Sequence, residues 1–214
     1  MTAPTLRERK KLQTRRSLGD AAWRLALQRG VRAVSCEDIA EAAGVSARTF
    51  FNYFATKEEA ILNGNTDFWN DLCAALRRRP ADDPIGAAFL AASREVLGGI
   101  DAPAGGWVRD MRALCEANPE LIPPLLALYD GIGRSIRQVV ADRTGTDPER
   151  DMYPRLVAGC LVLAWRLATV EWDEPESPER LLAHLEDALT QLSAGIDNPA
   201  ELGSVHAAGM SATS

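Results

Sequence analysis

Five polar side chains stand close together in the sequence at Arg48, Thr49, Asn52, Tyr53 and Lys57. An arginine guanidinium can donate two hydrogen bonds to the edge of guanine, and an asparagine amide can pair with adenine. Hydroxyl groups and the lysine ammonium suit phosphate oxygens, which position a protein without reading sequence. These residue types predict a surface that binds DNA, with Arg48 and Asn52 on base edges and the other three on phosphates.

The segment 35–57 supplies the elements that would position these side chains. Ser35 and Ser46 can each cap a helix start, and Gly44 lies where the first helix must end in a left-handed residue. Ile39, Ala40 and Ala43 are expected on the inner face of that first helix. Two short helices joined so closely are typical of a helix-turn-helix, although an αα-hairpin with solvated polar groups has the same spacing. The predicted DNA contacts are Ser35, Ser46, Ala47, Arg48, Thr49, Asn52, Tyr53 and Lys57.

The charge distribution favours the DNA-binding interpretation over the hairpin. Residues 1–57 carry eleven Lys and Arg against five Asp and Glu, a net charge of +6, whereas residues 58–214 carry thirteen against twenty-five, a net charge of −12. A basic segment ahead of an acidic one indicates a polyanionic partner for the first alone, although chance clustering on a solvated helix gives the same pattern. The basic residues upstream of the motif are Arg7, Arg9, Lys10, Lys11, Arg15 and Arg16.

The rest of the 214-residue chain has a helical pattern. Apolar residues recur at three- and four-residue steps, and no segment alternates with a period of two. We therefore predict an all-α protein in which a DNA-binding domain (1–57) with three helices precedes a helical ligand-binding and dimerisation domain (58–195). One long helix is expected over 56–79. The Ala-, Gly- and Ser-rich tail (196–214) is predicted to be disordered.

The stretch from Ala21 to Leu62 resembles the DNA-binding domain of TetR-type repressors. That resemblance implies an all-helical dimer that leaves its operator when a small molecule fills the C-terminal domain. The matching residues are Ala22, Leu25, Gly30, Ile39, Ala40, Ala43, Gly44, Val45, Ser46, Thr49, Phe50, Phe51, Tyr53, Phe54, Lys57 and Glu58.

Phe51 departs from the pattern of the resembled family, which commonly has tyrosine there. A phenyl ring cannot donate a hydrogen bond to phosphate. Either Tyr53 anchors the phosphate alone or Phe51 has become a core residue.

A second resemblance concerns the C-terminal part. The sequence segments 48–54 and 118–121 are similar to those of a branch of the family that includes the mycofactocin-system regulator. This resemblance implies an effector of the acyl-coenzyme A type. Large apolar side chains with few polar tips suit a small-molecule cavity and predict an apolar or acyl-type effector, although core packing demands the same residues. The candidate effector contacts are Trp69, Trp107, Met111, Leu125, Tyr129 and Trp165.

The predicted helix over 148–172 contains the run Val157–Trp165, which has no charged residue. A helix that is apolar all round must be buried all round, so one face is expected to meet a second subunit. Cys160, Ala164 and Ala168 fall at four-residue steps and would allow a close approach of helices. Together with the helix at 178–194, this segment predicts a homodimer, as the resemblance also implies.

Other classes of protein find little support in the sequence. There is no phosphate-binding glycine loop, no metal-spaced His and Glu cluster and no nucleophile elbow, so we expect neither an enzyme nor a bound cofactor. The run Val157–Trp165 is too short to cross a bilayer and no signal peptide is evident, which predicts a cytoplasmic protein associated with the bacterial nucleoid. A helical dimer that binds a protein instead of DNA is the remaining rival, and the basic upstream segment argues against it.

Overall fold

The computed structural model describes residues 5–63, 66–99, 106–170 and 178–195, and all regular structure in these ranges is helical. The predicted all-α class is therefore confirmed. Short 3₁₀ turns occupy Val31–Ala33 and Pro119–Leu121. The α-helices are α1 (Leu6–Arg29), α2 (Cys36–Ala42), α3 (Ala47–Phe51), α4 (Lys57–Asn63), α5 (Thr66–Arg78), α6 (Ile85–Gly98), α7 (Gly106–Ala117), α8 (Ile122–Thr144), α9 (Met152–Val170) and α10 (Pro178–Ala194).

The chain packs as two compact units, which we call the head unit and the body unit. The head unit comprises Met1–Asp71 and Gly106–Ile132, and the body unit comprises Leu72–Gly105 and Gly133–Ser214. Packing therefore groups α7 and the start of α8 with the predicted DNA-binding helices. The functional division at residue 57 remains a prediction.

One apolar core holds the head unit together. It includes Phe50 of α3 and Phe54 just after it, and both side chains are almost fully buried. Met111, Cys115 and Leu121 belong to the same cluster, so α7 and the second 3₁₀ turn share one core with the helix-turn-helix, and that turn packs on α4. Fully burying a large apolar side chain stabilises a protein by about 1.5–3 kcal/mol, which makes these contacts a principal support of the motif.

Local capping signals set the bounds of α2 and α3. The Ser35 hydroxyl accepts a hydrogen bond from the Asp38 amide, and the Asp38 carboxylate accepts one from the Ser35 amide, so the capping box is complete. Ser46 caps α3 by accepting from the Thr49 amide. Gly44 between the two helices has φ +70°, a left-handed conformation that side chains rarely adopt.

The body unit is built around α9 and α10, which pack on each other, while α10 also packs on α6. Its buried side chains include Phe89 of α6, Trp165 of α9 and Leu185 of α10. The end of α8 is tied to the end of α5 by Arg143, whose guanidinium donates to four main-chain carbonyl oxygens.

Helix is observed over most of the segment predicted to form one helix over 56–79, in α4 and α5, and residues 64 and 65 between them lie outside the described ranges. Another predicted helix differs from the one observed. The helix expected over 148–172 begins only at Met152. Asp147 instead closes a turn before it, because its carboxylate accepts from the amides of Glu149 and Arg150. The predicted disordered tail also lies outside the described residues.

Candidate nucleic-acid interface

The exposed side of α3 carries the polar side chains that the sequence singled out. Arg48 and Asn52 are both exposed, Ala47 and Thr49 are half-buried, and the opposite side is closed by Phe50. Residues three and four apart share a helix face, so Arg48 and Asn52 project from the same side. The exposure of Arg48 and Asn52 agrees with the predicted surface, whereas its role in binding DNA stays a prediction. The buried aromatic residues behind this face hold α3 in place.

The hydroxyls at the two helix starts are already engaged within the chain. The Ser35 hydroxyl lies 2.6 Å from the Asp38 carboxylate, to which it donates its single hydrogen. The Ser46 and Thr49 hydroxyl oxygens lie 2.9 Å apart and share one hydrogen bond. Hydrogen bonds from Ser35 lower the pKa of the Asp38 carboxyl. The carboxylate thereby stays charged at the N-terminus of α2, where negative charge is stabilising.

Lys57, predicted to bind phosphate, also supports the motif from within. Its ammonium donates to the carbonyl oxygens of Val31 and Val34, each at 2.8 Å. A lysine ammonium has three donors, so one is left for a phosphate. The side chain is half-buried and ties the start of α4 to the turn that precedes α2. Its predicted phosphate contact stays a prediction.

The basic residues of α1 divide into two groups. Arg15 donates to the Asn63 side-chain oxygen and to the Tyr53 carbonyl oxygen, and its guanidinium lies 4.4 Å from the centre of the Phe54 ring. Arg16 pairs with Asp67 at 2.7 Å. Both therefore serve packing inside the head unit. The remaining upstream basic residues, whose side chains are exposed and make no hydrogen bond or ion pair to the described part of the chain, are Arg7, Arg9, Lys10 and Lys11.

Tyr53 is half-buried against the head core, and its hydroxyl has no hydrogen-bond partner among the described residues. It is available for the predicted phosphate contact. Phe51 is 55% exposed, so the alternative that it has become a core residue is wrong. Its ring rests edge-on against Phe50, with the ring centres 5.3 Å apart.

The structure distributes the predicted effector contacts over both units. Trp69, Met111, Leu125 and Tyr129 belong to the head unit, whereas Trp165 belongs to the body unit and is 1% exposed. Met111 and Leu125 pack against the core beneath the helix-turn-helix. The side chain of Trp107 lies outside the described residues. The effector role of these residues remains a prediction.

Helix α9 leaves one apolar stripe uncovered. Met152, Leu156, Leu163 and Leu167 are between 47% and 71% exposed. Ala164 and Ala168 of the predicted small-residue stripe are at most 2% exposed and pack inside their own unit, whereas Cys160 of the same stripe is half-buried. Sequence reasoning identified the helix but assigned the outer face to the wrong residues, because both faces are apolar.

Comparison with known proteins agrees with this geometry. Residues 18–62 match the family described as bacterial regulatory proteins of the tetR family, and residues 83–197 match the MftR C-terminal domain. A relative, the HTH-type transcriptional regulator TcmR of Streptomyces glaucescens, is 33% identical over 79% of this chain and 77% of its own. MftR of Mycobacterium tuberculosis, whose name assigns it to the regulation of mycofactocin biosynthesis, is 28% identical over 88% of this chain and 94% of its own.

A solved structure supports the fold. The TetR-family repressor FadR of Thermus thermophilus, crystallised in complex with lauroyl-CoA, superposes with a TM-score of 0.56 at 22% identity, covering 87% of this chain and 98% of that one. Within the described residues no helix is both long and apolar enough to span a membrane. The family matches and the relatives, which are regulators and not enzymes, lead to one assignment: the chain belongs to the TetR family of DNA-binding transcriptional regulators.

Proposed function

We propose that this regulator represses transcription as a homodimer, binds a two-fold DNA operator, and is released by an acyl-type effector. The observation that carries the proposal is the exposed face of α3, where Arg48 and Asn52 stand on a fully buried aromatic support. A protein with that activity works in the bacterial cytoplasm, at the nucleoid.

The roles of the DNA-contacting residues follow from their chemistry and exposure. Arg48 is exposed and its guanidinium makes no hydrogen bond or ion pair to the described residues, so it can donate both hydrogen bonds to a guanine. Asn52 lies beside it for adenine. Ser46, Ala47, Thr49 and Tyr53 flank these two and approach the sugar-phosphate backbone, as Ser35 and Lys57 do from the neighbouring helix starts.

A binding assay with paired variants tests this assignment. Duplexes enriched by the wild-type protein from a random library would be titrated with Arg48→Ala, Lys57→Ala and the control Arg77→Ala, which removes an exposed charge from the body unit. Arg48→Ala should lose about 1–3 kcal/mol of binding free energy and relax base preference. Lys57→Ala should weaken all sequences alike and lower the salt slope by about 1. Equal losses on every sequence for both variants would contradict the assigned roles.

The dimer interface is proposed on the apolar stripe of α9, together with α10. Exposed leucines aligned along one helix form an apolar surface that a second copy of the same surface can cover. A two-fold axis through this surface makes each stripe contact its equivalent. It also requires an operator whose half-sites lie about one helical turn, or a multiple of it, apart.

Sedimentation velocity tests whether the exposed apolar stripe of α9 forms the dimer interface. Leu163→Arg should give a folded monomer, because the side chain is exposed in the protomer and a charge there opposes association. Leu27→Arg, at a similarly exposed leucine in the head unit, should leave the dimer intact. Ala164→Arg should instead abolish folding, because Ala164 is 1% exposed. A dimeric Leu163→Arg protein would refute the proposed surface.

The effector is proposed to be an acyl-coenzyme A. The match of residues 83–197 to an MftR-type domain supports this class, and so does the likeness to a repressor crystallised with lauroyl-CoA. A ligand can act only through different affinities for the DNA-competent and DNA-incompetent conformations. A tenfold loss of operator affinity requires about 1.4 kcal/mol of coupling.

Titration of lauroyl-CoA into the protein–operator complex tests the effector class, with lauric acid and coenzyme A as separate controls. Release by lauroyl-CoA alone supports the proposal, and tighter DNA binding would make the ligand a corepressor. Failure of all three ligands to change operator affinity would rule out this effector class while leaving the DNA-binding assignment intact.

A further inference from the structure

Phe51 is the large apolar residue on the otherwise polar exposed face of α3. It is the last residue of the helix, and 55% of its surface is exposed. Helical spacing places it between Ala47 and Arg48 around the helix, on the outward side. Its edge-on contact with Phe50, which is fully buried, fixes the ring from behind. The ring is therefore presented to solvent in a defined position.

The surroundings of Phe51 restrict what can cover it. Arg48 precedes it by three residues and neighbours it around the helix, whereas Asn52 follows it directly in the sequence. Both residues are exposed and are proposed to hydrogen-bond to base edges. A ring next to Arg48 on the outward side of the helix enters the major groove when that arginine does. The apolar group displayed there is the C5-methyl of thymine. A phenyl ring also cannot bind phosphate, which removes the usual polar alternative.

We infer that Phe51 is a specificity-determining residue that packs on a thymine methyl group in each operator half-site. The inference rests on the proposed DNA-binding function and adds a base preference to it. Side chains three residues apart on a helix are separated by about 5–6 Å. Successive bases on one strand are about 3.4 Å apart. The thymine is therefore expected within about two base steps of the guanine that Arg48 contacts.

Replacement of thymine by uracil isolates this contact, because uracil lacks only the methyl group. Each thymine of a library-selected operator would be replaced in turn, and the dissociation constant measured at fixed salt for wild type, Phe51→Ala and Phe51→Leu. Loss of one buried methyl group corresponds to a decrease in binding affinity of about four-fold. The affinity of the wild-type protein should fall by about that factor when one particular thymine in each half-site is replaced. Phe51→Ala should bind the uracil and thymine duplexes equally, and Phe51→Leu should retain part of the difference.

Arg48→Ala is the matched control, because it should bind more weakly but keep the full response to uracil. Circular dichroism and thermal melting check that Phe51→Ala is folded, as expected for an exposed ring. If that variant does not fold, the wild-type uracil series decides, since indifference to uracil at every thymine overturns the inference. An equal response of wild type and Phe51→Ala to uracil overturns it too. A library with no enriched duplex would overturn the DNA-binding proposal as well.

Discussion

Arg143 offers the sharpest test of how the body unit is held together. Its guanidinium donates to the carbonyl oxygens of Leu76, Arg79, Pro80 and Asp83, at 3.3, 2.9, 2.6 and 3.2 Å. These carbonyls lie at the end of α5 and in the turn that follows, where a helix leaves its last acceptors unsatisfied. A cation there also complements the helix dipole. One side chain from α8 thus closes the C-terminus of α5.

The magnitude follows from the two shorter contacts. A hydrogen bond to a charged group contributes a net amount of about 1.5–3 kcal/mol, and the long contacts add little. Because the side chain is only half-buried, water can replace part of each lost contact. We therefore expect Arg143→Ala to lower the free energy of unfolding by about 2–4 kcal/mol. Arg143→Lys should retain less than half of the stability that Arg143→Ala loses, because a compact ammonium cannot reproduce the planar guanidinium that spans the separate carbonyl groups.

Urea unfolding followed by far-UV circular dichroism provides the measurement. Protein concentration must be fixed, since association of subunits shifts apparent stability by mass action. The control is Arg134→Ala, an exposed arginine on the same helix, which should change stability by less than about 0.5 kcal/mol. The reasoning would be refuted if Arg143→Ala and Arg134→Ala had the same urea midpoint of unfolding and the same slope of unfolding free energy with urea concentration.

Three further predictions concern the head unit. Asp38→Asn should destabilise the protein near neutral pH, because hydrogen bonds from Ser35 lower the pKa of the Asp38 carboxyl in the folded state. The stability curves of the two proteins should converge as the pH falls through that lowered pKa. Asp20→Asn should instead stabilise the protein at neutral pH, since partial desolvation and the neighbouring Asp67 raise the pKa of the Asp20 carboxyl. This gain should vanish under acidic conditions in the same urea titrations. Gly44→Ala should cost about 1–2 kcal/mol in a thermal melt, because its φ of +70° strains any side chain even though no atom lies within 4 Å of the added carbon.

The features that sequence reasoning predicted correctly are those determined within one or two helical turns. The Ser35–Asp38 capping box spans three residues, and the left-handed Gly44 follows from the need to end one helix before the next begins. The helical pattern likewise assigned Ile39 and Ala40 to the buried side of α2. Each of these features depends only on residues that are close in the sequence, so it forms irrespective of how the rest of the chain packs.

The features that the sequence did not predict depend on the packing of distant segments. The hydrogen bonds of Lys57 join residues 23 and 26 positions apart, and that of Arg15 to Asn63 spans 48. Donors of this kind look identical to solvated or DNA-facing ones in a linear sequence. Helix α9 shows the same limit for apolar residues, since both of its faces are apolar and only packing distinguishes buried Ala164 from exposed Leu163.

The net charge of +6 on residues 1–57 therefore overstates the charge available to a polyanion. Arg15 and Arg16 of this segment are committed to partners inside the head unit, and Arg32 lies 3.5 Å from Glu120. A paired cation must give up its carboxylate before it can neutralise a phosphate, whereas an unpaired one exchanges only water and counterions. Exposed basic side chains without a hydrogen bond or ion pair to the described residues lie at the start of α1 and at Arg48. Under the proposed function, we expect attraction to DNA to come from these side chains and from Lys57, with Arg48 also reading a base.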